Sequence, residues 1–308
     1  MATRSLLPAP TFADARLAHL PRRRPSAWLR SATNMNRSTI LIAARPAIMC
    51  AVFLAGAVPQ PAPAANLCTA AELSQLVNRP DASWSACVVG AGDLLLETGY
   101  YQNASSVGGA DIAEYPNAEL RLGVDPKLEL LLDPPAQIDV SGNHGRGYFS
   151  LSDPGLGFKY QLGDGGSGAL ALGGEFHSPS TAASYHVQPD YRLELDSTRL
   201  VGAKLQATMG LGLVDESRMA RSTPSTPALR SSAALGLASS PNTTFSVELL
   251  DQASVARSLR GQSFGDLALR QALSRRVLLD VEGGQTFNTS AHTRPHYIGA
   301  GLAFATSR

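Results

Sequence analysis

Charge is scarce in this chain. Only 17% of its 308 residues are charged and the net charge is +1, against roughly 25% charged residues in an ordinary soluble domain. The near-neutral balance leaves no basic footprint, which argues against nucleic acid as a partner. Long apolar runs are missing as well. After Ala65 no stretch reaches about 18 apolar residues, so no helix of that part spans a membrane. Cysteine is limited to Cys50, Cys68 and Cys87. Two thiols fall short of a structural metal site, and no further ligand stands near Cys68 and Cys87 in the sequence. No metal and no cofactor are therefore expected.

What is present begins with an export pattern. Residues 1–34 are rich in Arg, Pro and Ala and have no folding periodicity; they read as an extension, with translation starting at Met35 rather than Met1. Arg37 and Arg45 form a basic n-region, and Ala47 to Val58 an apolar h-region. Ala62-Pro63-Ala64 has the form of a cleavage site, which makes 35–64 a signal peptide cut after Ala64. Ala55-Gly56-Ala57 has the same form but lies inside the apolar run. An uncleaved membrane anchor is the alternative, and the h-region is short for it. Cys50 leaves with the signal. The remaining even pair, Cys68 and Cys87, favours a disulfide in an exported chain. Between them Thr69 to Val77 reads as one short helix, with Thr69 as N-cap and Glu72 completing a capping box. Residues 65–92 are thus expected as a small stapled segment in the periplasm, with entry into the periplasmic mouth of a barrel as a partial plug left open.

From Asp93 a period-two pattern keeps returning. In Asp153–Phe176, Leu156, Phe158, Tyr160 and Leu162 alternate with Gly155, Gly157, Lys159 and Gln161. The turn Gly163 to Gly168 follows, and then Leu170, Leu172 and Phe176 alternate with small or polar residues. This is a hairpin with one apolar face. Comparable strands are predicted at 93–102, 117–124, 128–133, 153–162, 169–177, 189–196, 200–213, 228–238, 243–250, 264–273, 277–287 and 296–305. The links alternate. Short ones fall at 125–127, 163–168, 197–199, 239–242 and 274–276; long ones fall at 103–116, 134–152, 178–188, 214–227 and 251–263, with a medium one at 288–295. Short turns at one end and long loops at the other, on an even number of antiparallel strands, are the pattern of an outer-membrane β-barrel. The expected fold is all-β, a transmembrane antiparallel barrel of about twelve strands over 93–308, after a short helical segment. Both termini would lie in the periplasm.

The faces sort accordingly. One collects Leu94, Leu96, Leu122, Leu130, Leu132, Leu193, Leu195, Ala203, Leu205, Leu213, Leu235, Leu237, Phe245, Val247, Leu249, Leu267, Leu279, Val281, Ile298 and Phe304. The other collects Glu97, Glu119, Arg121, Glu129, Lys159, Glu175, Arg192, Glu194, Lys204, Arg230, Glu248, Asp266, Arg270, Asp280 and Glu282. In a porin-like barrel the second face lines the lumen. Twelve strands enclose a bore wider than a side-chain-filled eight-strand barrel and narrower than a porin of about 16. The bore is then a narrow pore or is filled by bridges such as Arg121 with Glu119 and Glu129. Its nine acids against six basic groups would favour cations if it is open. Tyr100, Tyr101, Tyr115, Phe176, Phe264, Phe287 and Tyr297 fall near the long-loop ends, and Tyr160, Phe245 and Phe304 near the short turns, as aromatic girdles would.

Three stretches resemble a known family. Glu97-Thr98-Gly99-Tyr100, Tyr115 to Val124 and Leu128-Glu129-Leu130 resemble the opening of the meta-pathway phenol degradation family of outer-membrane transporters. Gly155 to Leu162 with Ala169 to Leu172 resembles its central hairpin, and Tyr297 to Phe304 its closing strand. The resemblance runs across about 93–305. It implies a barrel that passes small molecules, aromatic or hydrophobic ones among them, and supplies no catalytic residue.

Catalysis has little support in the residues. Gly142 to Gly147, with His144, weakly resembles the His-bearing segment of outer-membrane phospholipase, but the serine-bearing motif that should follow is absent. His144, His177, His186, His292 and His296 fall in or beside the long loops, where imidazole could ligate a metal but solvated loop residues are the expectation; Arg146, Arg218, Arg221, Arg257, Arg260 and Arg294 fall there too. Guanidinium groups pair with phosphate, so lipopolysaccharide is a natural partner there, alongside membrane lipid, a small-molecule solute and the barrel-assembly machinery. The expectation is a non-enzymatic transport barrel. Two alternatives stay open: a closed structural or surface-interaction barrel, and a soluble exported β protein.

Overall fold

The computed structural model describes residues 67–68, 72–79, 83–104, 110–142, 148–178, 190–215, 227–254, 262–287 and 296–307. The signal-like residues 35–64, His144, His186, His292 and the six loop arginines named above lie outside them. One short helix, α1 (Leu73–Leu76), precedes the strands. The first seven strands are β1 (Leu94–Ala104), β2 (Ala110–Asp125), β3 (Leu128–Asp133), β4 (Gln137–Gly142), β5 (Tyr148–Leu151), β6 (Gly155–Gly165) and β7 (Gly168–His177). The other seven are β8 (Asp190–Val201), β9 (Leu205–Asp215), β10 (Ala228–Ser240), β11 (Thr243–Ser254), β12 (Gln262–Ser274), β13 (Val277–Thr286) and β14 (His296–Ala305).

Each strand pairs antiparallel with its neighbours, and β1 pairs with both β14 and β2. That double pairing closes the sheet. β4 and β5 hang on the first half of β2, so the closed wall contains the other twelve of the fourteen strands. Closure leaves no unpaired edge around the wall. β2 serves two partners because it is long. Residues 110–115 pair with β4 and residues 120–125 pair with β3. Pro116 sits between the two halves, beside the register shift at Gly99/Tyr101, where a residue without an N–H is tolerated.

Three expectations about local structure are corrected. The stretch 134–152, expected as a loop, contains β4 and β5, and β2 begins at Ala110 inside the expected loop 103–116. The turn expected at 197–199 is at Gly202–Lys204 instead, because Gly202 supplies the positive φ (74°) that the tight reversal requires. The helix is shorter than Thr69–Val77. Its N-cap is Glu72, whose backbone N–H donates to Gln75 Oε1 at 3.0 Å in a capping box with Gln75 as third residue.

The outer face is apolar. Leu156 (65% exposed), Leu267 (67%), Leu249, Leu235, Phe245, Ile298 and most of the expected apolar series stand on the surface. Ala203 is exposed too, but in the Gly202–Lys204 turn rather than on a strand. The core sits inside the barrel toward the short turns. There Leu73, Leu76, Val77, Ala86, Cys87 and Val89 pack against Leu95, Ala169, Ala171, Leu278 and Ala303 of the wall. The described part of the segment expected in the periplasm therefore lies within the wall.

Candidate functional site

The site is the interface between this inner segment and the wall. Residues 83–90 form no regular element, so their backbone groups need partners from elsewhere. Wall carboxylates supply the acceptors. The N–H groups of Asn78 and Arg79 donate to Glu97 at 3.0 and 2.8 Å. Ser83 donates its N–H at 2.8 Å and its hydroxyl to Glu248. Val89 N–H donates to Glu129 at 2.6 Å, and Ala86 N–H to the Thr198 hydroxyl at 3.0 Å. Guanidinium groups serve the carbonyls. Arg121 donates to Leu76 O at 2.5 Å and Arg270 to the carbonyl of Arg79 at 3.1 Å.

The same charges pair with each other. Arg121, fully buried, lies 2.9 Å from Glu97 and 2.8 Å from Glu129, with Glu119 at 4.0 Å. Lys159 is 3.2 Å from Glu129 and donates to Asn78 Oδ1 at 3.1 Å. Arg192 and Arg230 both reach Glu194, at 2.5 and 3.5 Å. Ionised groups this deep are tolerable only when paired and hydrogen-bonded, and Glu97, Arg121, Glu129 and Lys159 each have a partner on the wall and another on the segment.

Trp84 anchors the middle of the segment. The Arg192 guanidinium stacks 3.9 Å from its ring centroid, and Lys159 Nζ is 5.8 Å away. The ring lies against β7 at Gly173, where a Cβ would fall 2.3 Å from a ring carbon. Arg79 occupies a similar space over Gly99 and Gly301. It donates to Asn117 Oδ1 at 2.7 Å and lies 3.7 Å from Asp280 and 3.6 Å from Glu282. Near the short turns the Cys68–Cys87 disulfide closes the segment on itself.

Fourteen of the fifteen charged residues expected on one face stand on the inner side of the wall. Lys204 does not. It is exposed in the Gly202–Lys204 turn, the consequence of the shifted reversal. Asp196 and Thr198 take inner positions in its place, both buried. Their period-two spacing from Arg192 and Glu194 was the available signal, hidden by the turn-like text Ser197-Thr198-Arg199. Asn78, Arg79, Ser83 and Trp84 carried no sequence signal for their roles, since nothing local says that a coil threads a barrel.

The aromatics divide. Tyr100, Tyr115, Phe176 and Phe287 are exposed near the long-loop ends, and Tyr160, Phe245 and Phe304 nearer the short turns. Tyr101, Phe264 and Tyr297 depart from the expected girdle. They stack with centroids 5.1 and 5.2 Å apart around Tyr297, which is buried. They fall on the inner face because they share strand parity with Glu97, Asp266 and Gly301. The inner segment separates two cavities. One of about 850 Å³ opens at the short turns beside Cys68, Leu73 and Val88. One of about 480 Å³ opens at the other end beside Arg79, Trp84, Glu119 and His177.

No family model matches the chain, and no curated protein matches it. Among solved structures, an outer membrane channel from Pseudomonas putida F1 aligns with a TM-score of 0.55 at 11% identity, over 74% of this chain and 99% of that one. The NanC porin aligns with a TM-score of 0.49 at 10% identity, over 68% of this chain and 98% of that one. The first likeness agrees with the strand pairing: the chain is a closed twelve-strand antiparallel β-barrel.

Proposed function

We propose that the chain is an outer-membrane barrel that passes small solutes and carries its own stopper. The observation that carries this reading is the bore itself: two cavities at opposite ends, parted by a segment held by wall side-chain hydrogen bonds and, toward the short turns, by apolar packing. An apolar outer face around a charged interior suits a barrel set in lipid, and the 35–64 pattern suits export through a signal peptide. The likeness to a bacterial outer membrane channel and the family resemblance read from 93–305 support the same assignment. The fourteen inner charges are then lumen residues, and the Tyr101, Phe264 and Tyr297 cluster suits a mouth that collects aromatic or hydrophobic solutes by stacking. Membrane lipid, lipopolysaccharide at the long loops and the assembly machinery are the partners this placement implies. No catalytic role is assigned.

Complete pairing of Arg121, with no charge left to a solute, favours a second reading: a barrel that stays closed. Planar-bilayer conductance of Ala65–Arg308 separates the two. The Glu97→Gln/Glu248→Gln variant weakens the acceptors of Asn78, Arg79 and Ser83. Passage predicts small or intermittent steps in the wild type and larger, longer ones in the variant. Silence from both, in barrels shown to be inserted, overturns passage and leaves the closed barrel.

A further inference from the structure

A cluster at the long-loop mouth makes none of the hydrogen bonds to the inner segment described above. Asp133 ends β3, Gly155 begins β6 and His177 ends β7. They form one row across three strands, Asp133 opposite Gly155 and Gly155 opposite His177. Neighbouring strands are about 4.8 Å apart, so the outer two residues are separated by roughly 10 Å of backbone. Their side chains nevertheless meet, because nothing stands between them. A Cβ at Gly155 would lie 2.5 Å from Asp133 Oδ2 and 2.6 Å from His177 Nε2. Glu175, two residues before His177, points to the same face.

Both carboxylates converge on one atom. His177 Nε2 lies 3.3 Å from Asp133 Oδ2 and 3.2 Å from Glu175 Oε1. A single N–H cannot aim well at two oxygens, since hydrogen bonds weaken steeply away from linearity. A cation bonded to all three atoms meets no such conflict. With metal–ligand bonds of about 2.1 Å, the edges of a tetrahedral site are roughly 3.4 Å. The two measured separations match that edge, and all three donor atoms lie within 4.8 Å of one another. The side chains are 30%, 17% and 11% exposed, and all three line the 480 Å³ cavity, so an ion can enter. Glu114, Glu119, Asp153 and Asp190 line the same cavity, so its acids outnumber its two arginines, Arg79 and Arg192, and favour cations there.

We propose that Asp133, Glu175 and His177 bind one borderline divalent metal ion, such as Zn²⁺, at the mouth of the bore, with Gly155 as the space that lets them meet. One imidazole and two carboxylates suit Zn²⁺ or a neighbouring transition metal; Ca²⁺ and Mg²⁺ take all-oxygen shells of six or more. The remaining coordination position faces the cavity, where water or an anionic group of a solute would fill it.

The test uses the full barrel with its inner segment, in detergent, titrated with Zn²⁺ by equilibrium dialysis. One Zn²⁺ per chain is expected, bound at least about tenfold tighter than by His177→Ala or Gly155→Ala. His296→Ala, at an exposed histidine on another strand, should bind as the wild type does. No uptake by the wild type, or unchanged uptake by a His177→Ala barrel that keeps heat-modifiable migration, overturns the site. Should both variants fail to fold, X-ray absorption of the zinc-loaded wild type decides. One imidazole with oxygen neighbours supports the assignment. Two or more imidazoles, or none, would move the ion elsewhere and end it.

Discussion

Arg121 touches more of the inner interface than any other residue described above. It binds two wall carboxylates, and it donates to Leu76 O and, at 3.4 Å, to Cys87 O. Replacing it with Met leaves buried Glu97 without its cationic partner and Glu129 with Lys159 alone. Breaking a buried ion pair from one side costs about 3–5 kcal/mol, mostly through the charge left behind. The Arg121→Met barrel should therefore lose stability of that order in urea. Neutralising the orphans, in Arg121→Met/Glu97→Gln/Glu129→Gln, should recover much of it. A triple variant no more stable than the single one would mean that these groups do not act as one network. At Gly173 the conflict is steric. An Ala there puts a methyl 2.3 Å from the Trp84 ring, well inside contact distance, so the ring must leave the Arg192 guanidinium. The sequence has two tryptophans, Trp28 and Trp84, and only Trp84 remains in Ala65–Arg308. Gly173→Ala should shift its fluorescence to the red; an unchanged spectrum would show that the wall yields instead.

Among the elements, the inner segment is the least regular and the most dependent on its surroundings. Cys68 and Cys87 stand 19 residues apart, and closing a loop of that size stabilises by on the order of 3 kcal/mol in the chain-entropy model. Cys87→Ser should speed proteolysis of 67–92 while leaving heat-modifiable migration of the wall intact, since no wall strand contains a cysteine. Equal cleavage with and without the bond would show that the wall contacts alone fix the segment. Strands were far more legible than this element. Alternation in Leu156–Leu162 or Leu193–Leu195 follows from one apolar outer face and one polar inner face, which the wall imposes on every strand. The turns at Pro126, Gly166, Pro241 and Arg275 announced themselves through Pro, Gly and charge. The reversal at Gly202 did not, because Ser197-Thr198-Arg199 has the commoner turn composition and the deciding fact was a single positive φ. β4 is as long as β3 but offers only Ile138 and Val140 in alternation, and β5 has four residues; β4 forms on the long β2, and β5 on β4. The mouth cluster was equally hidden: Asp133 and His177 are distant in sequence, and the row through Gly155 exists only after the strands register.

For the whole molecule, the decisive question is which solvent surrounds the wall. A charged interior and an apolar exterior invert the arrangement of a soluble barrel, and the belt is continuous from Leu235 through Val247 to Leu267, which pair across β10, β11 and β12. Leu267 is 67% exposed, near the middle of β12, on the face opposite that of Asp266 and Arg270. In water, Leu267→Arg would be close to neutral, because an exposed arginine is well solvated. In a bilayer the same change costs about 2–4 kcal/mol at the midplane and about 0–1 kcal/mol near the interfaces. Unfolding titrations in lipid should thus show the loss for Leu267→Arg and little for Val201→Arg, which sits beside the Gly202 turn and is already half exposed. A depth-dependent loss sets the barrel across a membrane. Equal stability of both variants and the wild type would instead mean that water bathes the belt, and the bore would then have to be understood as the interior of a soluble, exported β protein.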